Sequence, residues 1–271
     1  MKKLITIFMF GCTHFFLFGV AHAFEFSIVD KANPLKSGTI IIGTGFGFQD
    51  VSNGGHFVRI PRILMGVGFA DVVDLRVDYE YLLLRHDPVH ERHNDSGDVL
   101  IRSRLAFLNL HDYFCSLGVN VKLPNASDDK GLGTDETDIY VLALISKAYG
   151  KVGMDLSAGL GILGDPRKNA DQKDVAVVSL SATYPLADKI NVKVEFAMNA
   201  DAHDVRMIGN KFNDEDILKA GGGVEFPLFR GLEGELLAHA GLTNSSPNYE
   251  IFLGIRKSFK ILPLPIVIHS S

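Results

Sequence analysis

The stretch VDLRVDYEYL, residues 73–82, sets Asp74, Arg76, Asp78 and Glu80 at alternate positions between Val73, Leu75, Val77, Tyr79 and Tyr81. A period of two is a strand with one apolar and one polar face. Here the polar face is charged throughout and carries both signs. In a sandwich that face would meet water and the other a core. In a transmembrane barrel the apolar face would meet lipid and the charges would line a lumen.

The same alternation runs along the whole chain. Before the quoted stretch, Ile40, Ile42, Thr44, Phe46 and Phe48 oppose glycines 43, 45 and 47, and Ile63, Met65, Val67 and Phe69 share a face. After it, Val99, Ile101, Leu105 and Phe107 alternate with Arg102 and Arg104. Cys115 to Leu123 alternates with Ser116, Gly118, Asn120 and Lys122. Residues 139–147 form a less clean sixth strand. Six more follow, with Asp155, then Ser179 and Ser181, then Lys193 and Glu195, Lys219 and Glu225, Glu233, Glu235 and His239, and Glu250, Phe252 and Arg256 on their polar sides. That makes twelve strands, most near the ~9–11 residues a tilted strand needs to cross a bilayer. No helical period interrupts them, and none has the double-sided apolar run of a buried parallel sheet.

The connections supply the second signal. Residues 49–56, 86–97, 125–136, 164–173 and 201–214 are long and polar, while 70–72, 111–114, 148–150, 185–188 and 227–231 are short. The two kinds alternate, with a moderate last connection at 243–248. Outer-membrane barrels have short periplasmic turns and longer outer loops. The expectation is an all-β, up-and-down, antiparallel transmembrane barrel of the outer-membrane type over residues 38–259. An even strand count puts both ends in the periplasm.

The first 23 residues fit this location. MKKLITIFMFGCTHFFLFGVAHA has two lysines, an apolar run and a small-x-small ending, the pattern of a secretory signal peptide. Its removal makes the formal net charge of −5 more negative by two. One cysteine, Cys115, then remains, so no internal disulfide forms. No later segment offers eighteen uninterrupted apolar residues. The acidic balance and the lack of a basic cluster argue against nucleic acid. Residues 24–37 are read as a periplasmic or lumen-entering segment, and 260–271 as a periplasmic extension.

The charged face is the candidate site. Asp74, Asp78, Glu80, Asp155, Glu195, Glu233 and Glu235 stand there against Arg76, Arg102, Arg104, Lys122, Lys193 and Arg256, with His239 beside the last two acids. A closed barrel tolerates such charge because inward positions meet water and each other. Two compatible roles stay open: ion pairs that stiffen and close the lumen, and a polar track that a solute follows.

Lys122-Leu123-Pro124, Gly131-Leu132-Gly133-Thr134, Asp138 and Ser146-Lys147 resemble the middle of the "MetA-pathway of phenol degradation" family. Arg59-Ile60-Pro61, Gly97-Asp98, the run from Gly241 to Pro247, Asp30-Lys31-Ala32 and Lys36-Ser37-Gly38 are similar to its other marks. The resemblance spans nearly the whole mature chain. It implies an outer-membrane channel of Gram-negative bacteria for small, often aromatic or hydrophobic, compounds, and it brings no catalytic residues or cofactor. The implied partners are outer-membrane lipid and lipopolysaccharide, the barrel assembly machinery and a small-molecule solute. Two departures stand out: eleven residues, ILPLPIVIHSS, follow Lys260 of the last strand, and tryptophan is absent. Tyr79, Tyr81, Tyr184, Tyr249 and phenylalanines are left to form the interfacial girdles.

Other chemistry is weaker in the residues. An outer-membrane hydrolase would need a serine near His239, and Ser179 and Ser181 face the same lumen, but no nucleophile motif joins them. His86, His90 and His93 lie close in sequence, without the fixed spacing that aims metal ligands. Asp128, Asp129, Asp135 and Glu136 do not fit a calcium loop. No metal or cofactor is assigned. The expectation is a passive channel; the alternatives are a closed structural or adhesive barrel working through its outer loops, and a hydrolase.

Overall fold

The computed structural model describes residues 27–51, 55–81, 83–86, 93–110, 113–127, 129–130, 132–164, 173–201 and 216–261. The signal-peptide assignment, His90, Asp128 and the extension beyond Ile261 lie outside them. Among the described residues there are fourteen strands: β1 (Thr39–Val51), β2 (Gly55–Phe69), β3 (Val73–Glu80), β4 (Leu83–His86), β5 (His93–Asp95), β6 (Val99–Leu110) and β7 (Tyr113–Leu123), then β8 (Asp138–Tyr149), β9 (Val152–Leu163), β10 (Lys173–Ala187), β11 (Ile190–Asp201), β12 (Ile217–Pro227), β13 (Leu232–Gly241) and β14 (Tyr249–Lys260). All pairings are antiparallel. β1 pairs with β14 on one side and β2 on the other, which closes the sheet into a barrel of twelve strands. A closed barrel satisfies every ladder and leaves no edge, as a wall in lipid requires.

β4 and β5 lie outside that count and correct the expectation of a plain loop at 86–97. β2 has fifteen residues and β3 only eight, so the upper part of β2 lacks a partner from β3. β4 returns to fill that edge, pairing His56 with His86 and Arg59 with Leu83, and β5 pairs with β4. Pro61, which has no N–H to give, sits where one partner ends and the next begins, and its carbonyl accepts from Tyr81 N. The expected long connection at 49–56 is also corrected. β1 runs to Val51 and β2 starts at Gly55, because the residues here continue the ladder to Val51↔Gly55. The strict alternation of long and short connections therefore fails at its first member.

Elsewhere the short turns gather at one rim. Ala70 and Asp71 adopt φ of 49° and 58°, and Lys189 and Gly150 take 60° and 59°. Such left-handed residues give tight hairpins the twist their strands need. The other rim carries 124–137, whose Asn125 and Ala126 N–H groups both donate to Asp98 Oδ1 at 3.0 Å.

The outward faces are apolar. Ile42, Met65, Leu105, Val141, Leu160, Val194 and Leu253 are all exposed. A continuous apolar belt of this kind is a lipid-facing surface. Tyr81 and Tyr249 lie toward the rim opposite the short turns, and Tyr149, Tyr184 and Phe229 toward the turn rim, all exposed. No described helix is long and apolar enough to cross a membrane; the strands do the crossing.

The core lies inside the barrel, around residues 27–37. Leu35 packs in a buried cluster with Ile41, Leu64, Leu237 and Phe252. Ala32 packs with Leu142 and Leu144. Gly68 on β2 permits this approach: a Cβ there would lie 2.4 Å from the carbonyl oxygen of Leu35 and 2.3 Å from that of Lys36.

Candidate functional site: the occupied lumen

Residues 27–37 enter from the turn rim and climb. At the rim Ser37 N donates to Asp71 Oδ1 at 2.6 Å. Leu35 N donates to Asp74 Oδ2 at 2.8 Å. Ala32 is held from both sides of its backbone: its N–H donates to Ser146 Oγ at 2.8 Å, and its carbonyl accepts from Ser116 Oγ. Arg104 Nη1 donates to the Lys31 carbonyl at 2.9 Å. Asp30 accepts from Arg102 Nη1 at 3.2 Å and from Asn120 Nδ2 at 2.9 Å. Ser27 Oγ donates to Glu195 Oε2 at 2.5 Å and accepts from Lys193.

The strands aim these groups because their period of two turns every second side chain inward. Asp74, Arg76, Asp78 and Glu80 share the inner face of β3. Arg104 grips Asp74 with two nitrogens, and Arg76 Nε lies 3.4 Å from the same carboxylate. Arg102 pairs with Asp78, and Arg59 Nε reaches Glu80 at 2.9 Å. Arg62, a half-buried cation from β2, stands 3.8 Å from Asp78. Lys122 sits near the outer rim, 2.6 Å from Asp138.

On the other side of the barrel, Lys193 Nζ lies 2.9 Å from Glu195 Oε2, and His239 Nε2 lies 2.5 Å from Glu195 Oε1. Arg256 bridges Glu225 at 3.0 Å and Glu233 at 2.8 Å. Asp155 accepts from Ser146 and Ser181, which continues the contact from Ala32 into the wall. Glu235 is buried nearby. The residues of the charged face stand on inward positions, most of them in two separate groups, with Lys122 apart beside Asp138. The groups that alternation did not single out are Ser27, Asp30, Lys31 and Ser146, together with inward Leu64, Leu142, Leu144 and Leu237. Apolar residues at inward positions were the available signal that something covers them.

Between Ser27, Val29, Asp30 and Lys31 and the arginines 76, 102 and 104, the residual cavity is about 10 Å³, about the room one water molecule needs. His239 is engaged by Glu195 and Ser181 by Asp155, so no described contact joins a serine to an imidazole in a triad order. Among the described residues, no three His, Cys, Asp or Glu side chains cluster as metal ligands.

The barrel superposes on an outer-membrane channel of Pseudomonas putida F1 with a TM-score of 0.63 and 13% identity, covering 84% of this chain and 98% of that one. The fold is that of an outer-membrane β-barrel. The NanC porin is similar at TM-score 0.55 and 10% identity, over 82% of this chain and 100% of its own. So is the translocator domain of the autotransporter NalP from Neisseria meningitidis, at TM-score 0.52 and 12% identity, over 95% and 98%. At such identities the fold is shared and the cargo is not implied. No family model and no curated protein matches the sequence, so the phenol-degradation resemblance stands on the residues quoted for it.

Proposed function

We propose that the chain is an outer-membrane channel for passive diffusion of small solutes, closed at rest by its own residues 27–37. The observation that carries this is the combination of a polar, charged lumen wall with an occupant bound only by non-covalent contacts. A barrel meant to be permanently solid fills its interior from its own wall. Here the wall leaves a track, and a separate segment fills it through hydrogen bonds that exchange readily with water. The aromatic or hydrophobic compounds implied by the resemblance would meet the apolar surface of Ile41, Leu64, Leu237 and Phe252, which Leu35 now covers. Export by the signal peptide and residence in the outer membrane complete the reading.

The filled lumen also favours a second reading, a closed structural or adhesive barrel working through its outer connections. Planar-bilayer conductance separates the two. The intact protein should be silent or open rarely, and a form lacking residues 24–35 should conduct steadily. Silence from both, in protein that still runs heat-modifiably on gels, would leave the closed barrel standing alone.

A further inference from the structure

The two sides of the lumen differ in sign, and the segment between them is charged to match. On β2, β3 and β6 the five inward arginines described above outnumber the three carboxylates Asp74, Asp78 and Glu80. Across the barrel, on β9 to β14, inward Asp155, Glu195, Glu225, Glu233, Glu235 and Glu250 outnumber inward Lys193, Lys219 and Arg256. The strand order places β3 and β6 roughly opposite β11 and β12 in the closed wall. A low-dielectric, narrow lumen with one sign on each side focuses a field across its width.

Asp30 and Lys31 are neighbours in sequence and carry opposite charges. The Asp30 carboxylate is held by Arg102 and Asn120 on the arginine side. The far side offers the opposite sign in buried Asp155 and Glu225. The wall grips this stretch otherwise by its backbone: Ser146 and Ser116 take the N–H and carbonyl of Ala32, Arg104 takes the carbonyl of Lys31, and Asp74 takes the N–H of Leu35. Such contacts do not depend on the side chain of the occupant.

We infer that the segment occupies a site built for short zwitterionic peptides. Such a peptide has one charge at each end and amide groups between. Its carboxylate would take the place of Asp30 against Arg102, its ammonium would face the acidic wall of Asp155 and Glu225, and its amides would take the place of those of Ala32 and Lys31. A solute with a single charge meets one favourable and one unfavourable wall. A neutral one gains from neither. This deepens the channel reading and rests on it, because the peptide enters only where the segment has withdrawn.

Liposome swelling tests it with four solutes of nearly equal size: trialanine, its N-acetyl form, its C-terminal amide, and the doubly blocked form. In protein lacking residues 24–35, trialanine should pass about three- to tenfold faster than the blocked forms, the range that the net contribution of one ordinary hydrogen bond supplies. Arg102→Gln in the same background, with each rate taken relative to glycerol, should remove most of that advantage. If the shortened protein fails to assemble, the full chain carrying Asp30→Asn and Lys31→Gln loosens the segment and gives the same comparison. Glycerol entry with all four peptides ranked by size alone overturns the peptide site and spares the channel. No entry of glycerol in either form overturns the channel, and the peptide site falls with it.

Discussion

Val194 and Glu195 are consecutive in β11 and live in different solvents. Val194 is 65% exposed and Glu195 only 4%. In a water-soluble protein the valine would be buried and the glutamate exposed. Here exposure means contact with lipid, and burial means contact with Lys193, His239 and Ser27. The outward face asks only for apolar character, so neighbours there are interchangeable. The inward face asks for particular partners, so each residue depends on others far away in sequence. Substitutions on the two faces should therefore fail in different ways.

The largest effect is expected inside. Glu195→Leu leaves the fully buried Lys193 ammonium without its nearest carboxylate, and His239 and Ser27 without their acceptor. Breaking a buried pair from one side costs about 3–5 kcal/mol. The denaturant midpoint of the folded barrel should fall accordingly, and Lys193→Met in the same chain should recover part of the loss. A midpoint unchanged by Glu195→Leu would mean that water reaches this level of the lumen.

The outward neighbour comes next. Val194→Arg puts a guanidinium into the lipid belt, which costs about 2–4 kcal/mol near the bilayer midplane and less toward the interfaces. The same residue change on the inner face, at Ser179 for instance, should cost differently according to its neighbours rather than its depth. Measuring Arg at 141, 156, 194 and 253 in turn should give a cost that depends on depth alone. A scatter unrelated to depth would show that the belt has partners of its own.

These two faces were also unequally legible. The outer face follows from local alternation, because each apolar residue there meets the same lipid whatever its neighbours are. Inward Asp74, Arg102, Glu195 and Arg256 are legible for the same reason: the period places them. Leu64, Leu142, Leu144 and Leu237 break the expected polarity of the inner face, and their cause lies in Ala32 and Leu35, remote in sequence. Residues 139–147 look irregular by sequence because Leu142 and Leu144 turn inward to meet Ala32. β4 and β5 were hidden too, since they exist to cover an edge of β2 that only the unequal lengths of β2 and β3 create.

Smaller effects should come from the hydroxyls that hold the segment. Ser116→Ala and Ser146→Ala each remove one hydrogen bond to Ala32, worth about 0.5–1.5 kcal/mol. The wall does not need them for its ladders, so the denaturant midpoint of the barrel should move little. What should change is the hold on residues 27–37. Ser116→Ala and Ser146→Ala together should make the intact protein open more often in planar bilayers. Equal loss of barrel stability and of closure would show that the segment and the wall fold as one unit.

The smallest effect is expected at the outer rim, where Asp95 on β5 meets Lys130 at 2.5 Å. The Lys130 ammonium and the Ser96 N–H, each donating to this carboxylate, hold its pKa below the usual carboxylate value. A group lowered in the folded state contributes above its unfolded pKa, about 3.9, and the contribution is lost as pH falls through the lower folded value. Between pH 5 and pH 8 the contact should therefore be constant. Below about pH 4 it should weaken, freeing β5 from the 124–137 connection. Both side chains are solvent-exposed, so screening by salt should reduce the effect further. Hydrogen-exchange protection of residues 93–98, taken relative to the intrinsic rate at each pH, measures it: Asp95→Asn should bring the neutral-pH protection to the low-pH level and remove the dependence on salt. Protection unaltered by pH, salt and Asp95→Asn alike would mean that pairing with β4 alone holds β5, and that this rim pair is a contact without consequence.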